Sequence, residues 1–520
     1  LEGAPERGCV SALAAADGIL YDLDLGDGCL YTMRLSDGST LYRTRVATHP
    51  VACGLSPNKD SLYVADWGRA EVVRIALFAD KEPRVAEHWR VGSHPNALAA
   101  TSDGQLFVSC GNDDVVCVLD AASGDTLERI RTSLAPQDQL GSTPNALAVA
   151  GGRLYVANAD NNDVCVVDVS RRAHSRVLGF IPTGWYPSAV LAGLGGSKIV
   201  IGSGKGSGTL PNPARLPLNP IVPTGFEYIG RQLNGLLSFV KAPTERELAT
   251  YTKQVVACTP RPERTAAQSA EQTAVPRRAG ERSPIRYVLY IIKENRTYDQ
   301  VFGDLPQGNG DPTLCLFGRE VTPNQHALAE EFALLDNLYC NGEVSQDGHP
   351  WSTMAYATDY TQRAWVLGYS GKGRLPDTVG MDVSSSGFLW EACKRHGISY
   401  RSYGEYATHP TLEGHSCLEF IGKAGPGNAP PGRDTERAEI FLREFRQFER
   451  SGTMPRFMVM SLGENHTKGT LPGAYTPKAM VASNDLAVGK IVEAVSQSSL
   501  WKEFAIFIIE DDAQNGPDHI

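Results

Sequence analysis

The feature that most constrains the fold is a repeat. THPVACGLSPNKDSLYVADWGRAEVVRI, SHPNALAATSDGQLFVSCGNDDVVCVLD, STPNALAVAGGRLYVANADNNDVCVVDV and WYPSAVLAGLGGSKIVIGSG restart at Pro50, Pro95, Pro144 and Pro187, at intervals of 45, 49 and 43 residues. Each copy alternates short β-branched or aromatic runs with Gly, Asn and Asp turns, the pattern of short antiparallel strands. One such unit cannot bury its apolar face alone, so units must stack, and a period of about 40–50 residues with this strand pattern predicts propeller blades. A more diverged copy spans 8–45, giving about five in all. A closed ring has about 4–8 blades, so further blades are expected upstream of Leu1.

From 241 to 283 Pro, Ala, Thr, Arg and Glu dominate and the alternation disappears. This texture predicts a linker with one short helix. Beyond it the apolar runs are unbroken: IRYVLYIIKENRTYD, FALLDNLYCNGEVSQDGH, RFMVMSLGENHTKGT and EFAIFIIEDDAQNGPDH, with helical stretches at 434–449 and 479–496. Continuous hydrophobicity is the mark of parallel strands buried on both faces. The expected organisation is therefore multidomain: an all-β propeller over 1–240, a linker over 241–283, and an α/β domain with a mostly parallel sheet over 284–520.

The net charge of −10, with no basic run longer than a pair, leaves no electrostatic footprint for nucleic acid. No stretch reaches the roughly 20 apolar residues needed to cross a bilayer as a helix. The start lacks both Met and a secretory leader, which predicts a trimmed N-terminus. Eleven cysteines, none in a CxxC, argue against a zinc ribbon or a dense disulfide framework.

In each of the four apolar runs a polar cluster follows: Glu294-Asn295-Arg296, then Ser345 to His349, then Glu464-Asn465-His466, then Glu510-Asp511-Asp512. Taken singly, an acid after a strand is usually a cap or turn residue, Ser345 could cap a helix beginning near Trp351, and His466 or His519 could be structural. Parallel strands, however, bring their carboxyl ends to one edge, where α/β enzymes bind ligands. Adjacent carboxylates repel unless water or a cation lies between them, so four converging clusters predict a cation site. His409 and His415 are expected in a loop at the same mouth. Tyr403 and Glu405 stand equally as structural or functional residues. The 371–379 and 428–433 loops are expected to select the substrate.

The LYVAD, LFVSC and LYVAN strands resemble the YVTN family of β-propeller repeats. IIKENRTYDQVFGD resembles the ENRS(F/Y)D signature of the phosphoesterase family that contains bacterial phospholipases C and acid phosphatases, within the alkaline phosphatase superfamily. EVSQDGHPWSTMAYATDY and EDDAQNGPDH resemble two further blocks of its propeller-fused branch. The resemblance implies an alkaline phosphatase-like α/β fold, phosphoric ester hydrolysis by a metal-activated Ser or Thr, and a divalent ion among Ca, Mn, Zn, Mg and Fe. It places Glu294, Asn295, Asp511 and Asp512 as metal ligands. Ser345 is the implied nucleophile, between a 334–340 strand and a helix, with Ser352 and Thr353 as alternatives. His466 and His349 become catalytic candidates, with Arg296, Asn465, Asp518 and His519 at the phosphate or a second metal. Asn465 stands where the pattern has Asp. The implied substrate is a small-molecule or lipid phosphate ester, and the implied location is periplasmic or extracellular. The chain stops inside the last block, where the family continues. Two alternatives stay open: a phosphonate or sulfate ester hydrolase, the latter without a CxPxR stretch, and a propeller binding protein with an inert second domain.

Overall fold

The computed structural model describes residues 8–79, 81–134, 140–208, 211–212, 229–259, 274–276, 281–371, 375, 380–422, 432–513 and 516–519. They form two compact units.

The first unit comprises Leu1–Gly208, Leu233–Glu263 and Tyr356–Ser386. It contains four four-stranded antiparallel sheets and one of three strands among the described residues. Their strands are β1–β4 (Val10–Ala16, Ile19–Asp24, Cys29–Arg34, Thr40–Arg45), β5–β8 (Pro50–Leu55, Ser61–Asp66, Glu71–Ala76, Arg84–Arg90), β9–β12 (Pro95–Ala100, Gln105–Cys110, Val115–Asp120, Thr126–Arg131), β13–β16 (Pro144–Ala150, Arg153–Asn158, Asp163–Asp168, Arg176–Pro182) and β17–β19 (Pro187–Gly193, Lys198–Ser203, Leu236–Lys241). Every repeat restart, Pro50, Pro95, Pro144 and Pro187, opens the first strand of a sheet. The second strands carry the LYVAD-type runs and are buried on both faces, as at Leu62, Val64, Leu106, Phe107, Leu154 and Val156. Their partners come from the neighbouring sheet. Leu23 and Leu30 meet Leu62 and Val64, Tyr63 and Trp89 meet Leu106 and Val108, Phe107 meets Leu154, and Tyr155 meets Ile199 and Ile201. The core is thus a series of inter-sheet layers, an arrangement consistent with a β-propeller. Each such buried side chain contributes about 1.5–3 kcal/mol.

Acids at the ends of second strands stitch successive turns. Asp66 accepts the backbone N–H groups of Thr48 and His49 at 2.7 and 3.0 Å, and Asp24 at the same repeat position accepts that of Cys9 at 2.8 Å. The residue before the restarting proline is left-handed in three repeats: His94 (φ 54°), Thr143 (φ 52°) and Tyr186 (φ 57°). Conformations of this kind cost energy for a side chain with a Cβ and persist only where surrounding contacts hold them.

Two segments depart from the expected domain bounds. Residues 241–283 were expected as a linker, yet the helix Glu245–Cys258 packs Leu248 and Val255 into the sheet layers, capped by Thr244 and Glu247. Of the remainder of that stretch, 260–273 and 277–280 lie outside the described residues. Tyr356–Ser386, expected in the α/β domain, belongs to the first unit because its side chains are buried there. Tyr360, Ala364, Leu375 and Met381 join Leu25, Val51 and Trp67 in one cluster. Asp359, fully buried at the start of the helix Asp359–Tyr369, accepts Trp67 Nε1 at 2.9 Å, His94 Nδ1 at 2.7 Å and Asn96 Nδ2 at 2.9 Å. Burial pushes its carboxyl upward, and the His94 bond and charge outweigh that and hold it below the ordinary range. Asp359→Ala leaves three buried donors unmatched and is expected to destabilise this unit by about 3–5 kcal/mol, read from the urea midpoint.

The second unit comprises Thr209–Gln232, Arg264–Ala355 and Gly387–Ile520. Its sheet is wholly parallel, in the order β21-β22-β20-β23, from β20 (Tyr287–Lys293), β21 (Tyr400–Tyr403), β22 (Phe457–Leu462) and β23 (Phe504–Glu510). The helices Asp434–Ser451 and Pro477–Ser496 cover it, so that Phe441, Phe445, Val488 and Ile491 enclose Leu289, Ile291, Met458 and Met460. The expected 334–340 strand does not form. Leu335, Leu338 and Tyr339 are exposed, and with no sheet face to bury them the run stays irregular. Tyr400–Tyr403 takes the fourth place. No helix among the described residues is long and apolar enough to cross a membrane.

Candidate active site at the carboxyl edge of the parallel sheet

All four strands end in polar residues at one edge: Glu294 and Asn295 after β20, Glu405 after β21, Asn465 after β22, and Asp511 and Asp512 after β23. The helix Ser345–Met354 meets this edge through glycine. A Cβ on Gly342 would lie 2.4 Å from Gly348 Cα, and one on Gly348 would lie 2.5 Å from the Asp511 carbonyl oxygen. Only residues without a side chain allow that approach.

Ser345 is the first residue of the helix and Val344 is its N-cap. The serine hydroxyl therefore does not cap. It donates to Asp512 Oδ2 at 2.9 Å and accepts from Asn295 Nδ2 at 3.2 Å. Asn295 Nδ2 also lies 2.6 Å from both Asp512 carboxylate oxygens, and its backbone is left-handed (φ 58°), a conformation asparagine tolerates. The alternative nucleophiles are engaged elsewhere. The Thr353 hydroxyl bonds back to the His349 carbonyl at 2.7 Å, and Ser352 lies seven residues along the helix, its carbonyl accepting from the Tyr290 hydroxyl.

Asp511 and Asp512 are buried side by side. Burial first, and the Asp512 charge second, push the Asp511 carboxyl up to about 9; burial also raises Asp512. Asp511 Oδ2 and Asn295 Oδ1 are buried without hydrogen-bond partners among the described residues. Hard oxygen donors of this kind, left unmatched beside repelling carboxylates, fit a divalent cation. The side chains do not yet close on a single ion. Among the described residues, the acid and histidine trio whose ligand atoms lie within 4.8 Å of one another is Asp299, Asp518 and His519.

His349, one turn from Ser345 on the same helix, sits among carboxylates: Glu405 Oε1 at 3.1 Å from Nδ1, Asp511 Oδ2 at 3.5 Å and Glu294 Oε1 at 3.6 Å from Nε2. Burial would lower its pKa, but the Glu405 charge, with Glu294 and Asp511, raises it well above the ordinary value. Burial likewise raises Glu294, and His349, with His466 further off, overrides this and lowers it.

Other expected site residues serve different ends. Glu510, the first of the three acids, accepts Lys293 Nζ at 2.9 Å and both its oxygens take Asn465 Nδ2 at 3.0 Å. Asn465 Oδ1 accepts the Glu294 backbone N–H at 3.0 Å, so Asn465 braces two strand ends. Arg296 folds back onto the Asn465 and His466 carbonyls and over the Phe317 ring. His466 is exposed, its ring bonded to the Thr467 carbonyl at 2.9 Å. Asp518 and His519 gather on Asp299, a buried carboxylate absent from the expected set, with His519 Nδ1 at 2.6 Å. His409 caps a short 3₁₀ turn, His415 stacks on Tyr400, and the Tyr403 hydroxyl donates to Glu444. Most of the 371–379 and 428–433 loops lies outside the described residues. Glu405, which stood equally as a structural or a functional residue, joins this edge; its strand, Tyr400-Arg401-Ser402-Tyr403, is not an apolar run, so no hydrophobic pattern singled it out.

No family model matches the chain, and no curated protein matches it. Among solved structures, hydrazine synthase from Kuenenia stuttgartiensis is 14% identical, with a TM-score of 0.36 over 47% of this chain and 66% of that one. A Bacteroides uniformis protein described as a 6-phosphogluconolactonase is 13% identical, with a TM-score of 0.33 over 36% and 62%. Virginiamycin B lyase from Staphylococcus aureus is 13% identical, with a TM-score of 0.30 over 41% and 73%. The chain spans just under two thirds of the first two. These likenesses are too slight to bring any activity to it.

Proposed function

We propose that the chain is a metal-dependent phosphoric ester hydrolase of the alkaline phosphatase type, with Ser345 as nucleophile, joined to a β-propeller. The observation that carries this reading is the Ser345 hydroxyl, turned away from helix capping onto Asp512 and Asn295, beside buried acceptor atoms of Asp511 and Asn295 that accept no hydrogen bond among the described residues. A divalent cation held by Glu294, Asn295, Asp511 and Asp512 would lower the serine pKa and neutralise the phosphoryl oxygens.

The protein's own groups do the rest. Asp512 Oδ2 is placed to take the hydroxyl proton as Ser345 Oγ attacks phosphorus and the ester oxygen departs. His349, its Nδ1 held by Glu405, is placed to donate a proton to the leaving oxygen. Water then cleaves the phosphoserine ester and frees the serine. The substrate class is a small-molecule or lipid phosphate ester, encountered in the periplasm or outside the cell.

The test is hydrolysis of p-nitrophenyl phosphate and bis-p-nitrophenyl phosphate by the full chain before and after EDTA, with Ca, Mn, Zn, Mg and Fe(II) restored singly. Turnover that is lost with EDTA and returns with one metal is expected. A folded chain that hydrolyses neither ester with any metal overturns the reading.

A further inference from the structure

The geometry points to Glu405 as a positioning residue that aims His349 at the reacting phosphoryl group, an inference that rests on the hydrolase reading above. Glu405 is almost completely buried, and its carboxylate faces His349 Nδ1 at 3.1 Å. With Nδ1 occupied, the ring turns Nε2 towards Glu294 and Asp511. Those separations, 3.6 and 3.5 Å, are ion-pair rather than hydrogen-bond distances. The Glu405 contact is the shortest of the three, and it sets the ring's orientation.

The backbone is shaped around this contact. Gly404 (φ 94°) and Tyr406 (φ 44°) flank Glu405 with two left-handed residues, and the Ser402 hydroxyl holds the Glu405 carbonyl at 2.5 Å. A strained turn directly after a buried parallel strand, presenting one buried carboxylate, persists when neighbouring contacts over-determine it, and such strain clusters at functional sites. A carboxylate on one nitrogen of a working histidine fixes the tautomer and aim of the other.

The experiment compares Glu405→Ala, Glu405→Gln, His349→Ala and the Glu405→Ala/His349→Ala double variant of the full chain on p-nitrophenyl phosphate with the metal that supports turnover. Glu405→Ala is expected to lower kcat by about 10- to 100-fold. The double variant is expected to be no slower than His349→Ala, because Glu405 acts through that ring. Glu405→Gln, which keeps an acceptor oxygen for Nδ1–H, is expected to recover part of the loss. It also serves if Glu405→Ala fails to fold. Losses that multiply in the double variant, or Glu405 variants as fast as the parent, overturn the inference. A second readout is independent of turnover: ¹⁵N spectra of histidine-labelled protein, with His349→Ala assigning the signal. A Glu405-dependent shift of the His349 ring nitrogens supports Glu405 as the group that orients the ring, and a parent that hydrolyses no ester beside such a shift overturns the hydrolase reading and, with it, the role at the phosphoryl group. An unchanged ring signal in Glu405→Gln overturns it.

Discussion

Ser345→Ala is expected to lower metal-dependent ester turnover by roughly three to six orders of magnitude, the range seen when a covalent nucleophile is removed. The fold should survive, since Asp512 keeps its Asn295 donor and the side chain sits at a helix start that makes no hydroxyl cap. The neighbouring hydroxyls provide the contrast. Ser352→Ala is expected to stay within about threefold of the parent, because that residue lies on a later turn of the helix. Thr353→Val removes a hydroxyl bonded to the His349 carbonyl and should act on stability, by about 0.5–1.5 kcal/mol, more than on kcat. Steady-state kinetics with unfolding curves for the three variants separate these outcomes. A Ser345→Ala protein with substantial activity, or a Ser352→Ala protein with none, would move the nucleophile.

Much of this organisation was legible because it depends on local pattern. The restarting prolines coincide with first strands, since a strand must begin where the chain turns back into the stack. The long helices around 434–451 and 477–496 follow from apolar periodicity. What was not legible depends on distant partners. The run around Leu335, Leu338 and Tyr339 is as apolar as a core strand, but no sheet edge receives it, and nothing local records that. Asp359 reads as an ordinary helix-start acid until Trp67, His94 and Asn96 close on it across more than 260 residues. Asn465 and Arg296 resembled ligands from their position after strands, whereas a long-range count of hydrogen bonds makes them braces. Glu405 was left undecided because its partner, His349, is 56 residues away. Strand period tells which segments end at the sheet edge, and only the tertiary contacts tell which of their side chains turn inward.

The buried acid pair carries the second large effect, on stability rather than rate. In EDTA the protein is expected to lose stability as pH rises from about 5 to 9. Asp511 has its folded pKa raised from the ordinary 3.8 to about 9, so across this window the folded chain keeps a proton that the unfolded chain has released. Stability then falls with pH, at up to about 1.4 kcal/mol per pH unit for one proton. His349 acts with the same sign, because its raised pKa gives stability that is complete below its unfolded value of 6.5 and is lost as pH climbs through the folded one. Glu294 is lowered in the fold, so its contribution is present above 4.5 and lost only at lower pH, outside the window. On the proposed reading a divalent cation would take the place of the proton between the carboxylates, so its affinity should rise with pH and its addition should flatten the slope. Asp511→Asn removes the charge that must be buried. It is expected to be more stable than the parent at pH 8 in EDTA and to gain little from metal. Urea midpoints at pH 5, 7 and 9, with EDTA or with the activating metal, test the whole pattern. Stability that is level or rises with pH in EDTA, or an Asp511→Asn protein that gains from metal as the parent does, would mean that the pair at the end of β23 is not held apart from water for the sake of a cation.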